Sequence, residues 1–283
     1  MRKKAPVILV LMFIVGVVMA CHSPTDPETP ESLVYVAVPA EDPGLVQTRF
    51  APFIDYLSLQ LNMPVEFMIV TDYAAVVEAL KYGHADIARL GPFSYVLATE
   101  EAKIEAFATG VTEIHGEPSY QALIITLASK NVKDLDGASL AYVDVGSTSG
   151  YLAPSTYIME SGIELEEEFF AGTHNAVIAA VKNGTVDAGC TADIIFSTAI
   201  EEGVISADDF DIIWESEPLP GSPIVFQGSM DQSLKDAINS AFLEAPEEIV
   251  KHIGIGELGY VPVLDSDYDV IRKIMVSHEQ LRQ

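Results

Sequence analysis

Asp72-Tyr73-Ala74-Ala75-Val76-Val77-Glu78-Ala79-Leu80-Lys81-Tyr82-Gly83-His84-Ala85-Asp86 decides the fold once it is laid beside Thr173-His174-Asn175-Ala176-Val177-Ile178-Ala179-Ala180-Val181-Lys182-Asn183-Gly184-Thr185-Val186-Asp187. Each stretch opens on a residue able to cap a helix, continues with apolar residues at helical spacing, and stops at glycine before a strand. At a shift of 101 positions, Ala75, Val76, Ala79, Lys81, Gly83 and Asp86 recur as Ala176, Val177, Ala180, Lys182, Gly184 and Asp187. Six identities within twelve positions indicate one structural plan used twice.

Outward from the first copy, Ser32 to Val38 alternates as a strand and ends at Pro39, and Thr48 to Asn62 carries Phe50, Phe53, Ile54, Leu57 and Leu61 on one helical face. Val65 to Val70 and Ala85 to Leu90 add strands on either side of the quoted helix. The second copy repeats that order: strand Leu140 to Val143, helix Ser149 to Ser161, strand Glu166 to Phe170, helix Asn175 to Asn183 and strand Val186 to Gly189. A β-α-β-α-β order implies a parallel sheet with crossover helices. The fold class is therefore α/β in two lobes, each a mixed, mostly parallel sheet flanked by helices. Tyr120 to Leu127 and Pro223 to Gln227 are the two strands expected to cross between the lobes. Helices near Gln232 to Leu243, Pro246 to His252 and Asp265 to His278 complete the first lobe. The expected division is 33–122 with 225–283 for lobe 1, and 123–224 for lobe 2. A cleft between such lobes, beyond the carboxyl ends of the strands, is a usual place for a ligand.

The start of the chain bears on compartment. Arg2, Lys3 and Lys4 precede an apolar run from Val7 to Val18, which ends in Val18-Met19-Ala20-Cys21. The run is shorter than the roughly 20 residues a spanning helix needs, and the pattern is that of a cleaved secretory signal. Residues 1–20 are read as a lipoprotein signal peptide and 21–32 as a Pro- and acid-rich tether on a lipidated Cys21, an uncleaved anchor being the alternative. That places the protein outside the cytoplasm, held to the cell envelope by lipid. Cys190 is the only other cysteine, so no disulfide framework is available.

The formal net charge of −27 argues against a nucleic-acid partner. It also repels a small anion at long range, but screening over about 8 Å leaves local groups in charge of binding. The strongest local group is Asp144-Val145-Gly146-Ser147-Thr148-Ser149-Gly150, between a strand and a helix. Its hydroxyls and free backbone N–H groups suit a multi-oxygen anion at the positive end of a helix, although an ordinary helix cap has the same composition. The turn is not a nucleophile elbow, because its centre is Thr148, and not a P-loop, because no Lys follows. Under the 101-residue shift Tyr73 falls on His174; both stand at the first turn of equivalent helices and both can donate hydrogen bonds into the cleft. Arg89, at a strand end, is read either as a cation for the cleft or as half of a salt bridge. His22, His84, His115, His174, His252 and His278 show no metal-ligand spacing, and neither metal nor cofactor is expected.

Several segments together resemble a known family: Thr71-Asp72-Tyr73-Ala74, Asp86-Ile87-Ala88, Leu90-Gly91-Pro92-Phe93-Ser94-Tyr95, Ser147-Thr148-Ser149-Gly150-Tyr151, Thr173-His174-Asn175-Ala176 and Pro218-Leu219-Pro220-Gly221-Ser222-Pro223-Ile224-Val225. They are similar to the phosphate/phosphite/phosphonate-binding proteins of ABC transporters. The resemblance implies a type II, cluster-D periplasmic-binding-protein fold of the Venus-flytrap kind. It implies that Ser147, Thr148 and Ser149 grip the oxyanion, with Tyr73, Tyr120 and His174 closing over it; Tyr120 enters through the resemblance. Members that bind an aminoalkyl phosphonate hold the amine with two carboxylates, which fall here near Asp193 and on the uncharged Ser222. A ligand without an amine is accordingly preferred: phosphate, phosphite or a simple alkylphosphonate. The implied partners are an ABC permease and ATPase, with the membrane reached through the lipid and the protein itself a monomer. A sensor that passes a closed-cleft shape to a membrane partner is the alternative, and a secreted hydrolase a more distant one.

Overall fold

The computed structural model describes residues 30–283 apart from 39, 42, 131, 133, 254 and 255. The expected signal segment, Cys21 and most of the tether lie outside these described residues. The chain first lays down β1 (Leu33–Ala37), α1 (Pro43–Leu61), β2 (Val65–Ile69), α2 (Tyr73–Lys81), β3 (Ile87–Arg89), α3 (Pro92–Glu101) and β4 (Ile104–Thr112). It crosses through β5 (Ser119–Tyr120) into β6 (Ala122–Leu127) and β7 (Ser139–Tyr142), then makes a π-helical turn at Thr148–Leu152. There follow α4 (Ala153–Glu160), β8 (Glu167–Phe170), α5 (His174–Lys182), β9 (Ala188–Ala192), α6 (Asp193–Glu201) and β10 (Phe210–Glu215). It returns through β11 (Leu219–Pro220) and β12 (Pro223–Gln227), and finishes with α7 (Gln232–Leu243), α8 (Glu247–His252), β13 (Glu257–Pro262) and α9 (Asp269–Leu281).

One sheet runs β13-β4-β12-β3-β1-β2 and the other β10-β6-β9-β7-β8, with β5 and β11 forming a small separate ladder. β1 pairs in parallel with β2 and β3, and β7 with β8 and β9, as a β-α-β order requires. β12, β4, β13, β6 and β10 all pair antiparallel. The sheets are mixed, as expected, but their antiparallel share exceeds the mostly parallel arrangement that the helix-strand order implied. The cause is the crossing: strands that return from the opposite lobe, and the hairpin partners they bring, enter against the direction of the β-α-β core.

The repeat identities have matching physical roles. Asp72 Oδ1 accepts from Ala75 N–H at 2.8 Å and Thr173 Oγ1 from Ala176 N–H at 3.1 Å, each capping its helix. Gly83 and Gly184 leave those helices at φ +69° and +68°, where any side chain would be strained. Asp86 Oδ2 accepts from Val34 N–H at 2.8 Å, and Asp187 Oδ2 from Ser139 N–H at 3.0 Å, so each aspartate ties its strand to the parallel neighbour. The duplication is therefore one of hydrogen-bonding as well as of order.

Two differences from the sequence reading concern helices. α1 begins at Pro43, a favoured first-turn residue, rather than near Thr48, and tolerates Pro52 inside. Its buried Val46, Phe50, Phe53, Ile54 and Leu57 hold it in place. α3 and α6, which the sequence reading left unassigned, bury polar residues (Ser94; Asp193 and Thr198) among apolar ones and so lack a clean apolar stripe. In the first core Phe50 stacks on Phe67 at 4.6 Å, and Tyr35 and Phe242 meet edge to face at 6.0 Å. The second core packs Ile124, Leu140, Ile158 and Cys190 between its sheet and helices.

Arg89 is resolved as half of a salt bridge. Its Nη1 and Nη2 donate to Glu257 Oε2 and Oε1 at 3.0 and 2.5 Å, both side chains being buried. Burial works against the guanidinium charge, but Glu257 outweighs it and holds the arginine above its usual range. Breaking such a pair leaves an uncompensated buried charge. Arg89→Met alone should lower stability by about 3–5 kcal/mol in urea unfolding, and adding Glu257→Met should restore most of that loss.

Candidate functional site

The Asp144–Gly150 turn is built by hydrogen bonds that fix its hydroxyls. Asp144 Oδ1 accepts from Gly146 N–H at 2.7 Å, and Ser147 Oγ accepts from Gly150 N–H at 3.1 Å, capping the π-turn. Thr148 Oγ1 accepts from Phe93 N–H at 2.8 Å, a bond from the first turn of α3 in the other lobe. In Ser147 and Thr148, so engaged, the oxygen serves the backbone and the hydroxyl hydrogen is left for the neighbouring phenol or a ligand. Gly146 is needed for proximity, since a Cβ there would lie 2.8 Å from the Cβ of Tyr73. A π-turn widens the helix start at the point where several donors must converge.

Tyr73 and His174, expected from the repeat, and Tyr120, expected from the family resemblance, arrive at the same place. Tyr73 opens α2 with its hydroxyl beside Ser147, and Tyr120 ends β5 beside Thr148 and Ser149. Burial raises the pKa of both phenols, so they remain protonated donors near neutral pH. His174 opens α5 and is 4% exposed. Its Nδ1 accepts from Ala192 N–H at 3.2 Å and lies 3.1 Å from Thr191 Oγ1. With Nδ1 engaged as an acceptor, the neutral ring carries its hydrogen on Nε2. Burial lowers the His174 pKa to about 4, so the ring is a neutral donor at physiological pH.

Tyr73, Tyr120, Ser147, Thr148, Ser149, His174 and Ser222 all border one cavity between the lobes, of about 70 Å³. Since one water needs roughly 10–15 Å³ by this measure, the space suits a solute of only a few heavy atoms. Val46, Phe50 and Ile195 add apolar lining, and Arg89 also borders the cavity, paired with Glu257. Asp193 does not border the cavity. His115 Nε2 sits 2.6 Å from its Oδ2, and Ile194 N–H donates to its Oδ1 at 2.7 Å, so this carboxylate is already engaged from the hairpin between β4 and β5. Ser222, the other position considered for an amine, does border it and brings no charge.

Two participants escaped the sequence reading. Phe93 contributes a main-chain donor, which no side-chain pattern reveals. Glu41 borders the cavity and is 3% exposed. Its position just past β1, at the carboxyl end of a central parallel strand, was the available signal. Among the described residues no group of three or more His, Cys, Asp or Glu is arranged to hold a metal ion, and no helix is long and apolar enough to cross a membrane.

Comparisons with known proteins place the chain in a family. The family described as ABC transporter, phosphonate, periplasmic substrate-binding protein matches residues 35–268. The phosphate-import protein PhnD of Mycolicibacterium smegmatis is 29% identical, with 90% of each chain covered. The phosphonates-binding periplasmic protein of Escherichia coli is 25% identical over 83% of this chain and 72% of its own. Among solved structures, PhnD1 of Prochlorococcus marinus in complex with methylphosphonate superposes with a TM-score of 0.79 at 20% identity, covering 87% of this chain and 97% of that one. The chain belongs to the periplasmic substrate-binding proteins of phosphonate ABC transporters.

Proposed function

We propose that this chain captures a small phosphonate-, phosphite- or phosphate-like oxyanion in the interlobe cavity and delivers it to an ABC permease, without turning it over. The observation that carries the reading is the set of donors around one small space. Three hydroxyls of the π-turn, two phenols kept protonated and an imidazole with its hydrogen on Nε2 converge there from both lobes. Net positive charge is not needed where oriented N–H and O–H dipoles replace the hydration of the anion. The printed names of relatives, one importing phosphate and others binding phosphonates or methylphosphonate, point to the same class of solute. The lobes so defined are 33–122 with 225–283, and 123–224. Cys21 is proposed to carry the lipid that keeps the protein at the outer face of the membrane.

The mechanism is a population shift. A ligand gripped by Ser147, Thr148 and Ser149 from one lobe and by Tyr73 from the other binds the closed form better than the open one, and stabilises it by that difference. Closure also seals the Thr148–Phe93 bond across the lobes. The permease would then recognise the closed surface. Asp193 is held by His115 outside the lining and Ser222 is neutral, so the two positions considered for an ammonium group bring no carboxylate to the cavity, which favours solutes without an amine.

Calorimetric titration with phosphate, phosphite, methylphosphonate and aminoethylphosphonate tests the reading. At least one of the first three should bind more tightly than the aminated ligand, and failure of all four to bind would defeat it. Tyr73→Phe, Ser149→Ala and His174→Ala should each weaken the preferred ligand by about 1.5–3 kcal/mol, whereas Cys190→Ser should not. Unchanged affinity in the cleft variants would remove the site.

His174 also makes stability depend on pH. Its folded value of about 4 lies below the unfolded value of about 6.5, so the unfolded chain binds the proton first. Stability should therefore fall as pH drops from about 6.5 towards 4, by up to about 3 kcal/mol from this residue. Urea titrations of wild type and His174→Gln across that window should show the loss shrinking in the variant.

A further inference from the structure

An anion trap has no obvious use for a carboxylate, yet Glu41 stands against the same cavity as the Ser147–Ser149 donors. Its Oε1 accepts from Arg49 Nη1 at 3.1 Å and lies 3.5 Å from Asn175 Nδ2. Its Oε2 lies 3.3 Å from the same Nη1. Arg49 also pairs with Glu202 on the far lobe, so its guanidinium does not serve Glu41 alone. A carboxylate offers about four acceptor positions, and these contacts leave some of them unspent. Burial raises the pKa of Glu41 against the lowering by Arg49, which eases protonation of the group.

The cavity is thus two-sided in its chemistry. The π-turn hydroxyls, Tyr73, Tyr120 and His174 present hydrogens, while Glu41 presents only oxygen. The other charged groups nearby are compensated: Arg89 by Glu257, and Asp193 by His115 outside the lining. An oxyanion with every oxygen bare suits the donors but meets repulsion at Glu41. One intervening proton turns that repulsion into a charge-assisted hydrogen bond. Resting on the oxyanion reading, we propose that Glu41 is a specificity-determining residue that shares one proton with the bound solute. It selects phosphorus oxyanions, which can be protonated near neutral pH, over sulfate, which cannot.

Calorimetry of the full chain at about pH 8.5, in two buffers of unlike ionisation heat, reads the proton directly. Methylphosphonate and phosphite, whose dianions carry no P–OH, should take up about one proton on binding. Phosphate, which brings its own P–OH, should take up none. Sulfate should bind at least about tenfold more weakly than phosphate. Glu41→Gln should abolish the uptake and narrow the phosphate-to-sulfate gap by about tenfold, because the amide can donate to a bare oxygen. Glu202→Gln, which alters only the far end of the Arg49 cluster, should keep both behaviours.

Uptake that persists in Glu41→Gln would place the proton on His174 and overturn the proposal, as would an unchanged phosphate-to-sulfate ratio. Loss of both behaviours in Glu202→Gln would also overturn it, by making them a property of the cluster charge. Should Glu41→Gln not fold, the wild-type pattern decides: no uptake with methylphosphonate or phosphite, or no discrimination against sulfate, refutes it. Binding with the wrong proton count rejects the role of Glu41 alone. No binding of any of these anions rejects the functional reading and this inference together.

Discussion

The bond from Phe93 N–H to Thr148 Oγ1 links the rest of the site together. It joins the first turn of a helix in one lobe to the π-turn of the other, and it engages the oxygen of a hydroxyl whose hydrogen points to a different task. The cavity is small because the lobes meet at this point, and Ser147 and Thr148 are oriented because their oxygens are already spent on backbone N–H groups. A loose serine or threonine would rotate and accept as readily as donate. Here the hydroxyls are committed, and the same constraint that closes the cleft gives it its sign.

In the proposed function, this is how so acidic a chain holds an anion. With a net charge of −27, the long-range field opposes the solute. The cations nearest the cavity do not relieve that opposition, since Arg89 is matched by Glu257 and Arg49 serves two carboxylates. In that reading, recognition falls to dipoles fixed within hydrogen-bond range, where screening leaves the distant charges little influence. Neutral His174 fits the same scheme: a charged ring would be costly in a site buried this deeply, and a neutral one with its hydrogen on Nε2 still donates.

Much of this was legible in the residues. The repeat placed Tyr73 and His174 at equivalent helix starts, and the aspartates that ended each copy proved to share a structural role. The Ser147–Ser149 turn was readable because a strand-to-helix step must satisfy its own N–H groups. What escaped was non-local or lacked a pattern. α3 and α6 bury polar residues among apolar ones, so helical periodicity is weak there. The antiparallel strands depend on which sheet a returning segment joins, which local sequence does not encode. Asp193 could be located but not its His115 partner, 78 residues away on a hairpin. Glu41 reads as one acid among 42 until the fold presses it against the cavity.

The placement of the crossing strands sets an order of assembly. All five strands of the second sheet come from one continuous stretch between Ala122 and Glu215. The first sheet has β12 in its interior, between β3 and β4, and that strand appears more than a hundred residues after β4. A chain emerging from its amino end therefore holds β1 to β4 incomplete, with apolar edges uncovered, until the later lobe has been made. Such a delay lengthens the exposure of strand edges that favour association between molecules. The lobe synthesised first is the one finished last.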